Sequence, residues 1–256
     1  MTATLAVART QFRIIRRDPW FLVVMFGMPL VVMPLFASTM GFALRAEGFE
    51  QATGAELVVP GQTVLFGFFV GGSTAFSVFR EHGWKTWDRL RASAASPTAL
   101  LAGYAIPWVI IHFLYSTLLM VAGSFFVGLR LNGGSALAVA LIMAAYAVCV
   151  VAIVLLATAT LRTVNQVNGL LNVGAMLLGG LGGALVPHET LPGWAQAVAP
   201  ATPTYWAMQG HRAVFLEQGG LSDVVGPAAV LFAAAAVVTV LAVKRFQTDE
   251  TKEFFA

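Results

Sequence analysis

Six stretches of this chain, Trp20–Leu44, Leu57–Phe79, Leu100–Leu129, Ser135–Leu161, Thr163–Val186 and Val224–Val243, contain no Asp, Glu, Lys or Arg. A helix rising about 1.5 Å per residue crosses the roughly 30 Å hydrocarbon core of a bilayer in about 20 residues, and each stretch is long enough. The stretches lack the alternation of an outer-membrane strand, and lipid leaves no backbone polar group unpaired, so helices are expected throughout. Apolar residues make up 58% of the chain and its mean hydropathy is +0.80, values far from those of a soluble domain. The links are short. The expectation is therefore an all-α polytopic membrane protein of six transmembrane helices, forming a single domain over residues 1–256.

Charge predicts how it sits. Arg9, Arg13, Arg16 and Arg17 precede the first span; Arg80, Lys85, Arg89 and Arg91 follow the second; Arg162 follows the fourth; Lys244, Arg245 and Lys252 follow the sixth. Only Arg45, Arg130 and Arg212 fall on the other side. The positive-inside rule puts both termini and the Arg80 link in the cytoplasm. The same distribution accounts for the basic balance without nucleic acid. Because the first apolar run follows its arginines directly, a signal anchor is expected, not a cleaved leader.

Between the spans, three regions stand out. In residues 1–18, Leu5, Ala8, Phe12 and Ile15 share a helical face beside Arg9, Arg13, Arg16 and Arg17, the pattern of an interfacial helix held to anionic lipid; Pro19 marks its turn into the bilayer. A solvated basic tail that only sets orientation is the alternative. Residues 187–223 are too polar to span and too apolar for an ordinary loop; Pro192, Pro200 and Pro203 with Trp194, Tyr205 and Trp206 predict a broken pair of short helices at the external surface, and the Gly179–Gly183 cluster lets the chain leave helical geometry before it. Residues 80–97, REHGWKTWDRLRASAASP, gather six charged side chains and two tryptophans. Read as a helix, Trp87, Leu90, Arg91 and Ala94 share a face, which suits either docking into a soluble ATPase or a positive-inside loop with interfacial tryptophans.

Some functions are excluded by what the spans and lysines lack. Lys85, Lys244 and Lys252 are the only lysines and none follows a glycine, so there is no phosphate-binding Walker loop and no nucleotide cofactor is expected on this chain. No carboxylate lies within a span, which argues against an ion-coupled carrier. Energy for uphill transport would have to come from a partner through a cytoplasmic contact. A partner-free channel, or a lipid-modifying enzyme using His112 or the external histidines, is the competing class. His112 is expected to be a packed neutral imidazole, with a proton relay as the minority reading. Cys149 has no partner for a disulfide within the chain, and His188, Glu189 and His211 match no closed metal site.

A pathway is suggested by polar spacing inside the membrane. Asn165, Asn168 and Asn172 follow one helical stripe in the fifth span, while Phe69, Ser73 and Phe76 with Gly67 and Gly71 recur along the second. Amides facing lipid would be unpaired, so the stripe should face a cavity or serve as glue between helices.

The stretch FREHGWKTWDRLRASAASPTALLAG resembles the cytoplasmic signature of the ABC-2 type permeases, in particular the daunorubicin-resistance-type multidrug exporters, which carry a similar E-x-x-x-G-T-x-D-R-L-R-A-S-P run after their second span. NGLLNVGAMLLGG and LPGWAQAVAPATPTYWAMQGHRAVF are similar to that family's fifth span and external re-entrant region. The resemblance implies the ABC-2, or type V exporter, fold: six helices, an N-terminal connecting helix, a cytoplasmic coupling helix and an external helical hairpin. It further implies two ATP-binding subunits, carrying ATP and Mg, with a second permease, identical or related, in a bacterial cytoplasmic membrane. Glu81, Trp84, Thr86, Trp87, Asp88, Arg89, Leu90 and Arg91 would then face the ATPase, and the second and fifth spans would line the substrate path. Two departures stand out: Lys85 occupies the place where the family often has Gly, and Ala94-Ala95 replaces an early Pro.

Overall fold

The computed structural model describes residues 3–17, 20–93, 95–130, 135–246 and 252; Pro19 and Ala94 lie outside them, as do the side chains of residues 21 and 22. Its helices are α1 (Ala3–Arg17), α2 (Trp20–Ala46), α3 (Ala55–Gly83), α4 (Trp87–Arg91), α5 (Pro97–Phe126), α6 (Ala136–Thr160), α7 (Val164–Leu181), α8 (Gly193–Val198), α9 (Pro203–Phe215) and α10 (Leu221–Arg245). No strand occurs among the described residues. Five helices, α2, α3, α5, α6 and α10, are long and apolar enough to cross a membrane, which makes this a polytopic membrane protein.

The expected span 163–186 is shorter in the structure. Its helix, α7, ends at Leu181 after 18 residues, roughly 27 Å at 1.5 Å per residue, and its Asn stripe dilutes its hydropathy. Gly182 then lies against Thr204 with no room for a side chain, and Gly183 takes φ 84° to turn the chain outward. Thr204 Oγ1 donates to the Leu178 carbonyl at 2.5 Å, satisfying one of the acceptors that the end of α7 exposes.

Local chemistry sets the helix starts. Ser96 caps α5, accepting from Ala99 N at 3.2 Å with Pro97 at the first helical position. Thr202 and Pro203 repeat the device at α9. At α7, Thr163 Oγ1 accepts from Gln166 N while Gln166 Oε1 accepts from Thr163 N, a reciprocal capping box.

α3 is the central helix, enclosed by α2, α5, α6, α7 and α9. One side meets α5 and α6 closely: a side chain on Gly67 would lie 2.5 Å from His112 Nε2, and one on Gly71 2.8 Å from Val150 Cγ1. Trp108 Nε1 donates to Ser77 Oγ (2.9 Å) and Tyr146 OH to the Val64 carbonyl (2.8 Å), pinning α5 and α6 to α3. The G-x-x-x-G pair thus serves helix packing and turns away from the α7 side. His112 is fully buried between Gly67 and Tyr146.

At the end of the molecule that holds the α2–α3 link, Arg212 of α9 pairs with Glu47 (3.4 Å), Glu189 (3.1 Å) and Glu217 (3.5 Å) and stacks over Phe49, which ties that link to the region after α7. Burial, then the neighbouring Glu189, pushes the Glu47 carboxyl up; Arg212 opposes both. α9 itself is embedded, with Thr204, Ala207, Met208, Gly210, His211 and Val214 buried, so the pair of helices after α7 is one exposed short helix, α8, and one that packs on α3, α6 and α10.

Candidate functional site

On the side of α3 away from α5 and α6, a groove of about 700 Å3 opens between α2, α3 and α7. Its wall is methionine-rich, with Met25, Met28 and Met40 from α2 and Met176 from α7, joined by Phe36, Phe66 and Phe69. Unbranched thioethers adapt to ligands of varied shape. Two amides interrupt the apolar lining: Asn172, and Gln62, which is buried with no hydrogen-bond partner for its Oε1 among the described residues. A buried acceptor without a partner costs desolvation that a ligand or water would recover.

A smaller recess of about 140 Å3 continues the groove between α3 and α7, lined by Phe69, Ser73, Phe76, Asn168 and Asn172. Five of the six pathway residues expected from spacing therefore converge on one space. Asn165 is exposed one turn earlier on α7, outside that lining. Val164, Val167, Leu171, Ala175 and Gly179 form the face of α7 that packs inward, and Gly179 lets α7 approach Leu65. The sequence reading missed Gln62 and the α2 methionines: Gln62 is a lone amide with no stripe around it, and methionine has no spacing that separates lining from core.

At the C-terminal end of α3, the segment from Glu81 to Ser93 forms a compact turn and α4. α3 continues past Phe79 to Gly83, and α4 spans only five residues. Lys85 makes the break with φ 57°, the left-handed region that favours glycine. Thr86 Oγ1 donates to the Glu81 carboxylate and, at 3.2 Å, to the Glu81 carbonyl, closing the turn. Trp87 is turned inward, 4% exposed, stacked on His82 at 4.3 Å and edge-on to Phe246 at 5.8 Å. Leu90 is half-buried against the same core. The surface of the segment carries Trp84, 61% exposed, with Asp88, Arg89 and Arg91. Asp88 and Arg91 lie 3.7 Å apart in solvent, a pair worth about 0–1 kcal/mol.

Two other residues support this segment from behind. Arg80 donates to Gln11 Oε1 of α1 (3.1 Å) and lies over the Trp84 ring. Lys252, almost fully buried, donates to the Leu161 carbonyl at the end of α6 (2.9 Å) near the Phe79 ring. α1 packs on α5 through Val7, Ala8 and Gln11, with Val7 against Gly103. Of the apolar face expected for an interfacial helix, Leu5 and Phe12 are exposed beside Arg9, Arg13, Arg16 and Arg17, Ile15 is half-buried and Ala8 is buried. Gln11 takes part through a hydrogen bond where hydropathy alone would look for an apolar contact.

Among the described residues, no group of three or more His, Cys, Asp or Glu side chains is placed to hold a metal. His211 is buried and stacked on Phe215, and burial pushes its imidazole down to about 3; Glu189 is engaged by Arg212 and His188 meets Tyr205 edge-on.

Comparison with known proteins joins these features. The chain is 24% identical over 193 residues to the linearmycin resistance permease protein LnrN of Bacillus subtilis (strain 168), an alignment covering 75% of this chain and 49% of the relative. The chain thus spans about half the length of the curated relative it matches. A profile of the ABC-2 type transporter family matches residues 2–216, running from α1 through the groove and α4 to α9. With its apolar helices and that match over most of its length, the chain belongs to the ABC-2 type transporter family.

Proposed function

We propose that this chain is the permease subunit of an ATP-driven exporter that moves a hydrophobic or amphiphilic molecule, drug-like or lipid-like, out of the cytoplasm or inner leaflet of a bacterial cytoplasmic membrane. The carrying observation is the groove between α2, α3 and α7: an adaptable apolar wall with sparse amides suits such a molecule better than an ion or a sugar. Resistance, the property in the relative's name, belongs to that protein and agrees with such a substrate.

Power comes from a separate ATPase, two copies serving two permeases, bound at the surface of Glu81–Ser93. Trp84, Asp88, Arg89 and Arg91 make the contact, while Trp87 and Leu90 transmit it inward to α3 and Phe246. Closure of the ATPases tilts α3 and α7 and exposes the groove alternately to the two sides. Arg9, Arg13, Arg16 and Arg17 hold α1 on anionic lipid headgroups.

Affinity purification of the tagged chain from its native membrane tests the reading. The expected result is a stoichiometric soluble protein bearing Walker motifs, lost from Arg89→Glu/Arg91→Glu while the permease stays in the membrane. Retention of that protein with full ATP-driven transport in the double variant would overturn the coupling surface. Conduction by the chain in liposomes without any ATPase would overturn the exporter reading in favour of a channel.

A further inference from the structure

Of the buried side chains that keep a polar atom unpaired among the described residues, Gln62 is the one on the wall of the groove between α2, α3 and α7. It is only 7% exposed, and the other groove residues of α3 around it are Val58, Leu65, Phe66 and Phe69. An amide in such surroundings forfeits the hydrogen bonds that it makes in water unless something in the groove restores them. The facing helix cannot: α2 brings Met25, Met28, Val32, Phe36 and Met40 to the groove, and none of these side chains carries a donor.

The polar groups of this space are spread along its length. The groove and its smaller recess share Met25, Phe69 and Asn172, and the recess adds Ser73 and Asn168. Phe69 lies seven residues after Gln62, roughly 10 Å along the helix. The combined space therefore has three polar side chains at one end and a single amide toward the other, with Phe66 and Met176 between them. No Asp, Glu, Lys, Arg or His lines either part. A carboxylate, phosphate or ammonium entering here would lose its hydration without a counter-ion to replace it. A hydroxyl loses far less and regains it from an amide. Rotation about the last side-chain torsion exchanges Oε1 with Nε2, so Gln62 can accept from a hydroxyl and also donate to one.

We propose that the ligand of this groove is an uncharged amphiphile with hydroxyl groups at two points, its polar end among Ser73, Asn168 and Asn172 and a further hydroxyl at the Gln62 amide, roughly 10 Å along its apolar body. Gln62 then sets specificity against molecules of the same length that have no donor there. The inference rests on reading the groove as the substrate site and narrows the class of substrate.

Photolabelling of the full chain in phospholipid nanodiscs tests it. The probes are a terminal decanediol carrying a mid-chain diazirine and the dimethyl ether of the same molecule, which has no donor; labelled peptides are read by mass spectrometry. Label on the exposed α5 stripe at Ile106, Ile110 and Leu114 reports how much probe is dissolved in lipid, so the ratio of α2 and α7 label to α5 label reads occupancy of the groove. One hydrogen bond to a buried amide predicts a ratio about three- to tenfold higher for the diol. Gln62→Leu should bring the diol down to the ratio of the ether, and its thermal unfolding temperature should be unchanged or raised, because an unpaired acceptor is removed. Equal ratios for the two probes in the unaltered chain overturn the proposal, as does a preference for the diol that survives Gln62→Leu. Earlier unfolding of Gln62→Leu would overturn it too, since the amide would then be serving the fold. No ATPase enters this assay. A preference for the diol in a chain that copurifies with no ATPase leaves this inference standing while the exporter reading falls, and equal ratios in a chain that does copurify with one remove this inference alone.

Discussion

Lys85 is the residue at which sequence and backbone geometry meet most directly. Its place in the resembled signature is often glycine, and the structure gives it φ 57°. A left-handed conformation costs an L-residue about 1–2 kcal/mol, while glycine gives up about 0.5–1 kcal/mol through its unfolded-state freedom. Lys85→Gly should therefore stabilise the chain slightly, by up to about 1 kcal/mol, and Lys85→Val should destabilise it by more, since a β-branched residue is a genuine outlier there. Thermal unfolding of the full chain in detergent checks both, and equal losses in the two variants would remove strain at Lys85 as the cause of the break. The inward turn of Trp87 follows from that break. A continuous helix over 80–97 would have left Trp87, Leu90 and Arg91 on one outward face; with α3 ending at Gly83 and α4 restarting at Trp87, the indole is aimed at His82 and Phe246. Residue types alone carried no trace of this, because the contact depends on Phe246 more than 150 positions later.

Among the elements, hydropathy made the spans legible to within a few residues where helices are apolar all round, as in α6, expected over 135–161 and observed over Ala136–Thr160. It was least informative where a helix has polar business, as in α7, and where an interhelical hydrogen bond replaces an apolar contact, as at Gln11. Which side of α3 faces what was also hidden, since α3 is apolar on every side and only contact geometry separates its tight side from its groove side. That geometry makes a testable contrast between glycines. Gly67→Ala would put a methyl 2.5 Å from His112 Nε2 and 3.2 Å from Tyr146, with His112 too enclosed to withdraw. A loss of about 1–3 kcal/mol is expected from such overpacking, reduced when combined with His112→Ala because the two changes share one space. Gly169→Ala on α7 meets nothing within 4 Å and should gain about 0.5–1 kcal/mol from helix propensity alone. Additive losses in the Gly67/His112 pair, measured by thermal unfolding, would mean that the α3–α5 contact is looser than its geometry implies.

For the whole molecule, the exposed membrane-facing surface is of two kinds, and the difference predicts where the proposed second permease would sit. On the α5 side the exposed residues from Ile106 to Val121 are all aliphatic, and the half-exposed Thr117 hydroxyl is bonded to the Phe113 carbonyl, a surface with nothing to lose in lipid. The α7 side also presents large apolar residues, Leu170, Val173, Met176 and Leu177, but among them stands Asn172, exposed on the same short helix. An amide left in hydrocarbon forfeits hydrogen bonds that a partner helix or a water-filled cavity would supply. Two copies meeting across α2 and α7 would join their grooves into one central space and cover that amide. A two-fold axis along that seam brings equivalent α7 residues near each other. Single cysteines at Val173 or Leu177, introduced with Cys149→Ala so that no other thiol is present, should give covalent dimers with a short thiol cross-linker in native membranes. Cysteines at Leu114 or Leu118 on α5, exposed to a similar degree, should not. Cross-linking through α5 and none through α7 would move the interface to the lipid-like side and leave the α2–α3–α7 groove opening to lipid in each single copy, which would make it a lateral entry for a membrane-dissolved molecule instead of half of a shared cavity.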